Sequence, residues 1–222
     1  MHLIENLFLL DVDRQTLLRW AAEEADRWII EDDYDSEFRF DAHPMPAMQS
    51  LDSGGKVIYM NSFSKSLAPS IRISYMVLPG TLMERFRRTL GFYSCTVPSF
   101  EQHALARFLS RGHFEQHINR MRKFYKTRRD RLMKALTECP LADRLTVLEE
   151  NAGLHFLVRV DLPVAEDVIK ARCVQAGLRV SSLSDYYHGT VPADAGKCLV
   201  VNYSGLSQKD LTKLEEILAI IH

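Results

Sequence analysis

The sequence is poor in the features that most readily assign a function. Its four cysteines, Cys95, Cys139, Cys173 and Cys198, form no C-x-x-C pair, so neither a zinc site nor a disulfide framework is indicated, which fits a reducing compartment. Neither sign of charge is in excess. With 28 Lys and Arg against 29 Asp and Glu, the formal net charge is -1, which gives no global field to attract nucleic acid or an anionic membrane. The opening MHLIENLFLLDVDR has a short apolar run, but it contains Glu5 and no basic leader, and it is far too short to span a bilayer. Internal repeats and low-complexity segments are lacking. The expectation is a cytoplasmic protein with no membrane contact and no direct nucleic-acid binding. At 222 residues, 46% of them hydrophobic, the chain is long enough to bury a core and to divide into two domains.

What is present alternates between helical and extended patterns. DRQTLLRWAAEEADR places Leu17, Leu18, Ala21, Ala22 and Ala25 at helical spacing, and WIIEDDY follows as a short strand ending in acids. FDAHPMPAMQSLDSGGK reads as a loop, and VIYMNSF and ISYMVLP read as the next strands. Helices are expected over about 81–139 with a break near Pro98, the last of them long, with Phe114, Ile118, Met121, Tyr125, Leu132 and Leu136 forming an apolar stripe. Then LTVLEE, LHFLVRV, LRVSS and CLVVNYS read as strands, with helices near 164–176 and 207–221. The pattern is α/β, with a first domain over 1–111 and, over 112–222, the long helix and a small second α/β domain.

One constellation stands out. In a strand, side chains alternate faces, so Asp32 and Tyr34 of WIIEDDY would point one way and Glu31 and Asp33 the other. Ligands of open α/β sheets sit beyond the carboxyl ends of strands, where this segment and VIYMNSFSK both end, so Lys65, Asp32 and Tyr34 can converge on one crevice. A lysine, an acid and a phenol suit a Schiff base with an aromatic aldehyde whose ring nitrogen needs an anionic partner. Pyridoxal 5'-phosphate is the cofactor this points to.

IIEDDYDSEFRF followed by VIYMNSFSKSLAPSIRISYMVLP resembles the pyridoxal-phosphate half of the MocR/GabR-type regulators, within the fold-type I, class I/II aminotransferase superfamily. The likeness runs from about Asp13 to the carboxyl terminus, through HINRMRKFYKTRRDRL and GLHFLV. It implies a partial fold-type I transferase: the C-terminal part of the large-domain sheet over 1–111, and a small C-terminal α/β domain. It further implies Lys65 as the Schiff-base lysine, Asp32 as partner of the pyridine nitrogen and Tyr34 as donor to the cofactor's phenolic oxygen. Ser62, Ser64 and Arg72 would hold the phosphate, Arg72 through its planar fork of donors. A small amino compound is the implied ligand and a homodimer the implied assembly.

Each feature has a plainer reading. A lysine after a strand is usually solvated, and EDDYD alone is an ordinary acidic turn. His113 and His117 stand one helical turn apart, but HFEQH is not H-E-x-x-H, and no metal site is expected. RMRKFYKTRRDR mixes its basic residues with the apolar stripe, as a solvated helix face does. Several features of the family are missing. The glycine-containing phosphate turn, the ring-stacking aromatic and the cofactor-binding asparagine normally precede the matching segment, as does a winged-helix DNA-binding domain, and the first ten residues do not resemble the family. The resemblance therefore implies an N-terminally truncated form. Val200 stands where many relatives carry a carboxylate-binding arginine, with Arg179 nearby. Three functions are carried forward: an aminotransferase-like enzyme acting on an amino acid or amine, the effector-sensing domain of a GntR/MocR-type transcription regulator, and an inactive remnant.

Overall fold

Alternation in the sequence becomes alternation in space. The computed structural model describes residues 11–38, 40, 46–148, 153–175, 180–192 and 195–205. The chain packs as two compact units that divide between Arg120 and Met121.

In the first unit, α1 (Asp11–Glu23) precedes β1 (Ile29–Asp32), the short helix α2 (Met48–Leu51) and β2 (Val57–Ser62). The helical turn α3 (Phe63–Ser66) carries the lysine and leads to β3 (Ser74–Val77). The three strands form one sheet in the order β1-β2-β3, with β1 parallel and β3 antiparallel to β2. Strand β1 is shorter than WIIEDDY suggested, ending at Asp32. The chain then turns through a 3-10 turn, Ser36–Phe38, which buries Phe38 completely. Tyr34 therefore lies beyond the strand, and its direction is not set by strand alternation.

Helices α4 (Gly80–Leu90) and α5 (Ser99–Ser110) follow, with Pro79 and Pro98 at their N-cap positions, where a missing N–H costs nothing. Neither helix buries a residue. Gly112 has φ of 72°, a left-handed conformation that glycine adopts without strain. Its N–H donates to the Leu109 carbonyl at 3.0 Å and ends α5 just before α6 (His113–Glu138).

The second unit holds a four-stranded antiparallel sheet in the order β4-β5-β7-β6, built from β4 (Leu145–Leu148), β5 (His155–Val160), β6 (Ser181–Ser182) and β7 (Cys198–Asn202), with α7 at Glu166–Gln175. Its buried residues include Leu132 and Leu136 from the expected stripe, with Phe156, Val158, Val160 and Tyr203. Strand β5 alternates buried Phe156, Val158 and Val160 with more exposed neighbours, the pattern of a half-buried antiparallel strand. The helix expected near 207–221 and Arg179 lie outside the described residues. No described helix is long and apolar enough to cross a membrane.

Candidate functional site

Strand register separates the acids of EDDYD into different roles. Glu31 pairs with Tyr59 and Asp32 with Met60 across the parallel β1–β2 ladder, so Asp32 shares a sheet face with Met60 and Ser62, and Glu31 shares the other with Tyr59 and Asn61. On that second face the acids serve the fold. The Glu31 carboxylate accepts the backbone N–H groups of Met48 at 2.7 Å and Gln49 at 3.0 Å, closing the start of α2. Asp33 accepts the Tyr59 hydroxyl at 2.9 Å, and the Asn61 amide donates to the same hydroxyl oxygen at 3.1 Å. Burial raises the Tyr59 phenol far above its ordinary range; the Asn61 bond opposes this and the Asp33 charge adds to it. Asp32 is left exposed on the opposite face. Its carboxyl is raised above the ordinary value, first by desolvation and then by the neighbouring Asp33 charge.

Ser62 ends β2 and occupies the N-cap position of α3, in which Lys65 is exposed and Ser66 buried. The turn is fixed by backbone bonds. The Phe63 N–H donates to the Ile73 carbonyl at 2.9 Å and the Leu67 N–H to the Phe63 carbonyl at 2.8 Å. Arg72 returns to this turn, with its Nη1 3.4 Å from Ser64 Oγ. Its φ of 49° is the positive value of a non-glycine residue, a conformation that costs on the order of 1 kcal/mol or more and persists where neighbours hold it. Here the Ile71 N–H is bonded to the Ala68 carbonyl, the Ile73 carbonyl is held by Phe63, and Ile73 is 7% exposed.

Of the residues singled out in the sequence, Ser62, Ser64 and Lys65 are thus consecutive or nearly so on one turn, Arg72 meets Ser64, and Asp32 shares the Ser62 face. Tyr34 is half-buried just beyond β1. His113 stacks near Phe108, with ring centroids 5.9 Å apart, and His117 Nε2 lies 3.0 Å from the Ser66 carbonyl. Among the described residues no group of three or more His, Cys, Asp or Glu side chains could hold a metal. An open depression of about 470 Å³ in the same unit is lined by Phe108, His113, Gln116, Asn119 and Arg120, none of them singled out as a cofactor residue. In the basic stretch Arg128 lies over the Phe124 ring at 4.3 Å, and Arg129, 8% exposed in its side chain, pairs with Asp130 at 3.0 Å. Sequence reasoning missed the Asp33–Tyr59–Asn61 chain and the contact of His117. The first had a visible signal, because Tyr59 and Asn61 alternate with Met60 and Ser62 along one strand.

A parallel pair with an antiparallel third strand, a lysine turn after the middle strand and a separate antiparallel α/β unit define part of a fold-type I aminotransferase. Residues 13–218 match the aminotransferase class I and II family, and the chain belongs to it. Its curated relatives include an uncharacterized HTH-type transcriptional regulator, YhdI, of Bacillus subtilis, 39% identical over 89% of this chain and 41% of the relative. The probable rhizopine catabolism regulatory protein MocR of Rhizobium meliloti is 38% identical over 90% of this chain and 39% of the relative. Among solved structures, the kynurenine aminotransferase of Pyrococcus horikoshii, crystallised with PMP, superposes with a TM-score of 0.78 at 27% identity, over 94% of this chain and 50% of that one. A multiple substrate aminotransferase from Thermococcus profundus gives 0.76 at 25% identity, over 93% and 49%. The chain is therefore an aminotransferase-like domain similar to those of MocR/GntR-type regulators, and it spans about two fifths of the length of these curated relatives.

Proposed function

We propose that this domain holds pyridoxal 5'-phosphate covalently through Lys65 Nζ and presents it to an amino acid or other small amine. The observation that carries the proposal is the division of acids by strand register: Glu31 and Asp33 are engaged in the fold, while Asp32 stands on the face of Ser62, the residue that leads into the Lys65 turn. The donor set suits the group. Asp32, raised by desolvation and by Asp33, is a carboxylate that a protonated ring nitrogen would stabilise. Arg72 and Ser64 offer N–H and O–H donors within reach of one another for a phosphate, with Ser62 beside them, and Tyr34 is the candidate donor to the phenolic oxygen. When bound, the cofactor supplies an electron sink for bond breaking at the carbon bearing the amine. The chain's own part is to attach the group at Lys65, hold its ring nitrogen charged through Asp32, and move a proton with the lysine amine once that amine is free. Residues 1–111 would then be part of the cofactor-holding large domain and 112–222 the long helix with the small domain, in a cytoplasmic protein that acts as a homodimer.

The likeness to transcription regulators favours a second reading, in which the amine and cofactor bind without turnover and the domain acts as an effector sensor. Titration with pyridoxal phosphate, borohydride reduction and peptide mapping test the first step. A single label on Lys65 is expected, and a label spread over surface lysines with Lys65 unmodified rejects the proposal. Supplying an amino donor and a keto acid then separates the two readings: sustained exchange marks an aminotransferase, an amine-dependent spectral change with at most one stoichiometric half-reaction a sensor, and neither binding nor exchange an inactive remnant.

A further inference from the structure

The Lys65 turn is short, and a four-residue helix does not hold its own shape in water. Within the same unit, two contacts from the first turns of α6 reach its two ends. At the start, the Phe63 ring meets Phe114 edge-on at 5.9 Å and lies 5.6 Å from Tyr75 of β3. At the end, His117 Nε2 lies 3.0 Å from the carbonyl of Ser66. Phe114, His117 and the buried Ile118 are three and four residues apart and so occupy one face of α6. The Ser66 side chain does not serve as the anchor, since Ser66 is 1% exposed and its hydroxyl has no hydrogen-bond partner. The backbone carbonyl does. A carbonyl oxygen only accepts, so the imidazole must carry its proton on Nε2.

We infer that His117 is a positioning residue: by donating from Nε2 to the Ser66 carbonyl it holds the turn that aims Lys65. The inference rests on the reading of Lys65 as the cofactor lysine for its functional consequence, and on geometry alone for the hold itself. A cation one residue before the fixed carbonyl keeps its Cα and Cβ direction only if the turn does not fray. Loss of the histidine contact therefore lets the amine sample more directions, and the rate at which it captures an aldehyde falls, while the helices and sheets around it stay folded.

The test uses the full chain with His117→Ala and His117→Gln, the latter keeping an N–H donor of similar reach. In the parent, nitrogen NMR of the imidazole should show an Nε2-bound proton; a neutral ring protonated only on Nδ1 overturns the inference. Without cofactor, backbone amides of residues 63–67 should exchange about 2- to 10-fold faster in His117→Ala, the worth of one ordinary hydrogen bond, with His117→Gln close to the parent and exchange in the second unit unchanged. With pyridoxal phosphate and borohydride, the labelling rate at Lys65 should fall by a similar factor in His117→Ala and recover in His117→Gln. Exchange at 63–67 that is the same in all three proteins overturns the inference whatever the cofactor does. Absence of label on Lys65 in the parent overturns the cofactor reading instead, and the exchange and NMR results then decide on His117 alone.

Discussion

In the second unit Phe156 and Tyr203 are both 0% exposed, with ring centroids 5.9 Å apart, and the Tyr203 hydroxyl is bonded to the Gly153 carbonyl. In the first unit Phe92, Tyr93 and Phe100 are 75%, 69% and 83% exposed, and Ile30 on β1 is 66% exposed. Both units are rich in apolar residues, so composition does not distinguish them. Coverage does. The second unit buries residues of its four-stranded sheet together with Leu132 and Leu136 of α6 and Cys173 of α7, whereas the three-stranded sheet has an outer strand, β3, with every residue exposed, followed in sequence by two helices that bury nothing. Solvent-facing aromatics at this density mark surfaces that seek a covering partner. The residues proposed to hold the cofactor sit in the less covered unit, where the Lys65 turn is held by individual hydrogen bonds and ring contacts.

The largest expected contrast is in stability. Phe156→Ala should cost about 3–5 kcal/mol by removing a fully buried ring, whereas Phe100→Ala should change stability by no more than about 0.5 kcal/mol. Hydrogen exchange in the second unit reads the first substitution. Both tryptophans, Trp20 and Trp28, lie in the first unit and report on the second substitution by fluorescence during denaturant unfolding. Comparable losses from the two substitutions would show that the units are not covered differently.

The same exposed surface predicts association of the 222-residue chain with itself. A buried aromatic side chain contributes about 1.5–3 kcal/mol, so Phe92→Glu with Phe100→Glu should weaken self-association at least tenfold, seen by light scattering across concentration. A parent chain that stays monomeric at high concentration would remove the basis of this comparison.

Much of this organisation was legible. Strand alternation gave the separation of Asp32 from Glu31 and Asp33, because a period of two depends on the backbone alone. The long helix and the four strand positions of the second unit followed from apolar spacing. Three things were not legible. The early end of β1 at Asp32, followed by a turn that buries Phe38, has no local signature, because burial is a tertiary property. The exposure of α4 and α5 cannot be read from their sequences, since an amphipathic helix looks the same whether or not its apolar face is covered. The hold of His117 on Ser66 joins residues far apart in sequence through a backbone carbonyl, which no side-chain pattern encodes.

A third, smaller effect tests the register within the first unit. Asp32→Asn should leave attachment of pyridoxal phosphate to Lys65 intact but slow proton abstraction from a bound amine by more than tenfold, since a neutral amide cannot hold the ring nitrogen charged. Asp33→Asn should change that rate far less and act on stability, by about 1 kcal/mol, through the Tyr59 hydrogen bond. Stopped-flow spectra of the two variants make the comparison, and a larger kinetic loss from Asp33→Asn would reverse the assignment.

The smallest effect is a difference in the sign of the response to mild acid. In the second unit Lys170 Nζ lies 2.6 Å from Glu166 and 2.7 Å from Asp185. Glu166 is held below its ordinary 4.5, first by Lys170 and then by the Ser182 and Ser184 hydroxyls, and Asp185 below 3.8, first by Lys170 and then by the Ser182 N–H. Depressed carboxyls contribute stability that is fully present above their unfolded values and is lost as pH falls through their folded ones. In the first unit Glu37 is raised above 4.5, chiefly by desolvation with the Asp33 charge adding to it, and Asp32 above 3.8 by partial desolvation and then by Asp33. Raised carboxyls do the reverse. Their ionisation is a penalty above the folded value, relieved as pH falls through it toward the ordinary one. Lowering the pH from 7 toward the ordinary carboxylate range should therefore leave the second unit unchanged and slightly stabilise the first. Below 4.5 and 3.8 the second unit should lose stability. The changes will be small because the Lys170 cluster is partly solvated and screened. Hydrogen exchange resolved by unit over this range measures both slopes in one protein, and Lys170→Met should flatten the acid loss of the second unit while leaving the first as it was. If both units lost stability together as pH first fell from neutrality, the contrast between the partly desolvated acids of one unit and the paired acids of the other would not hold.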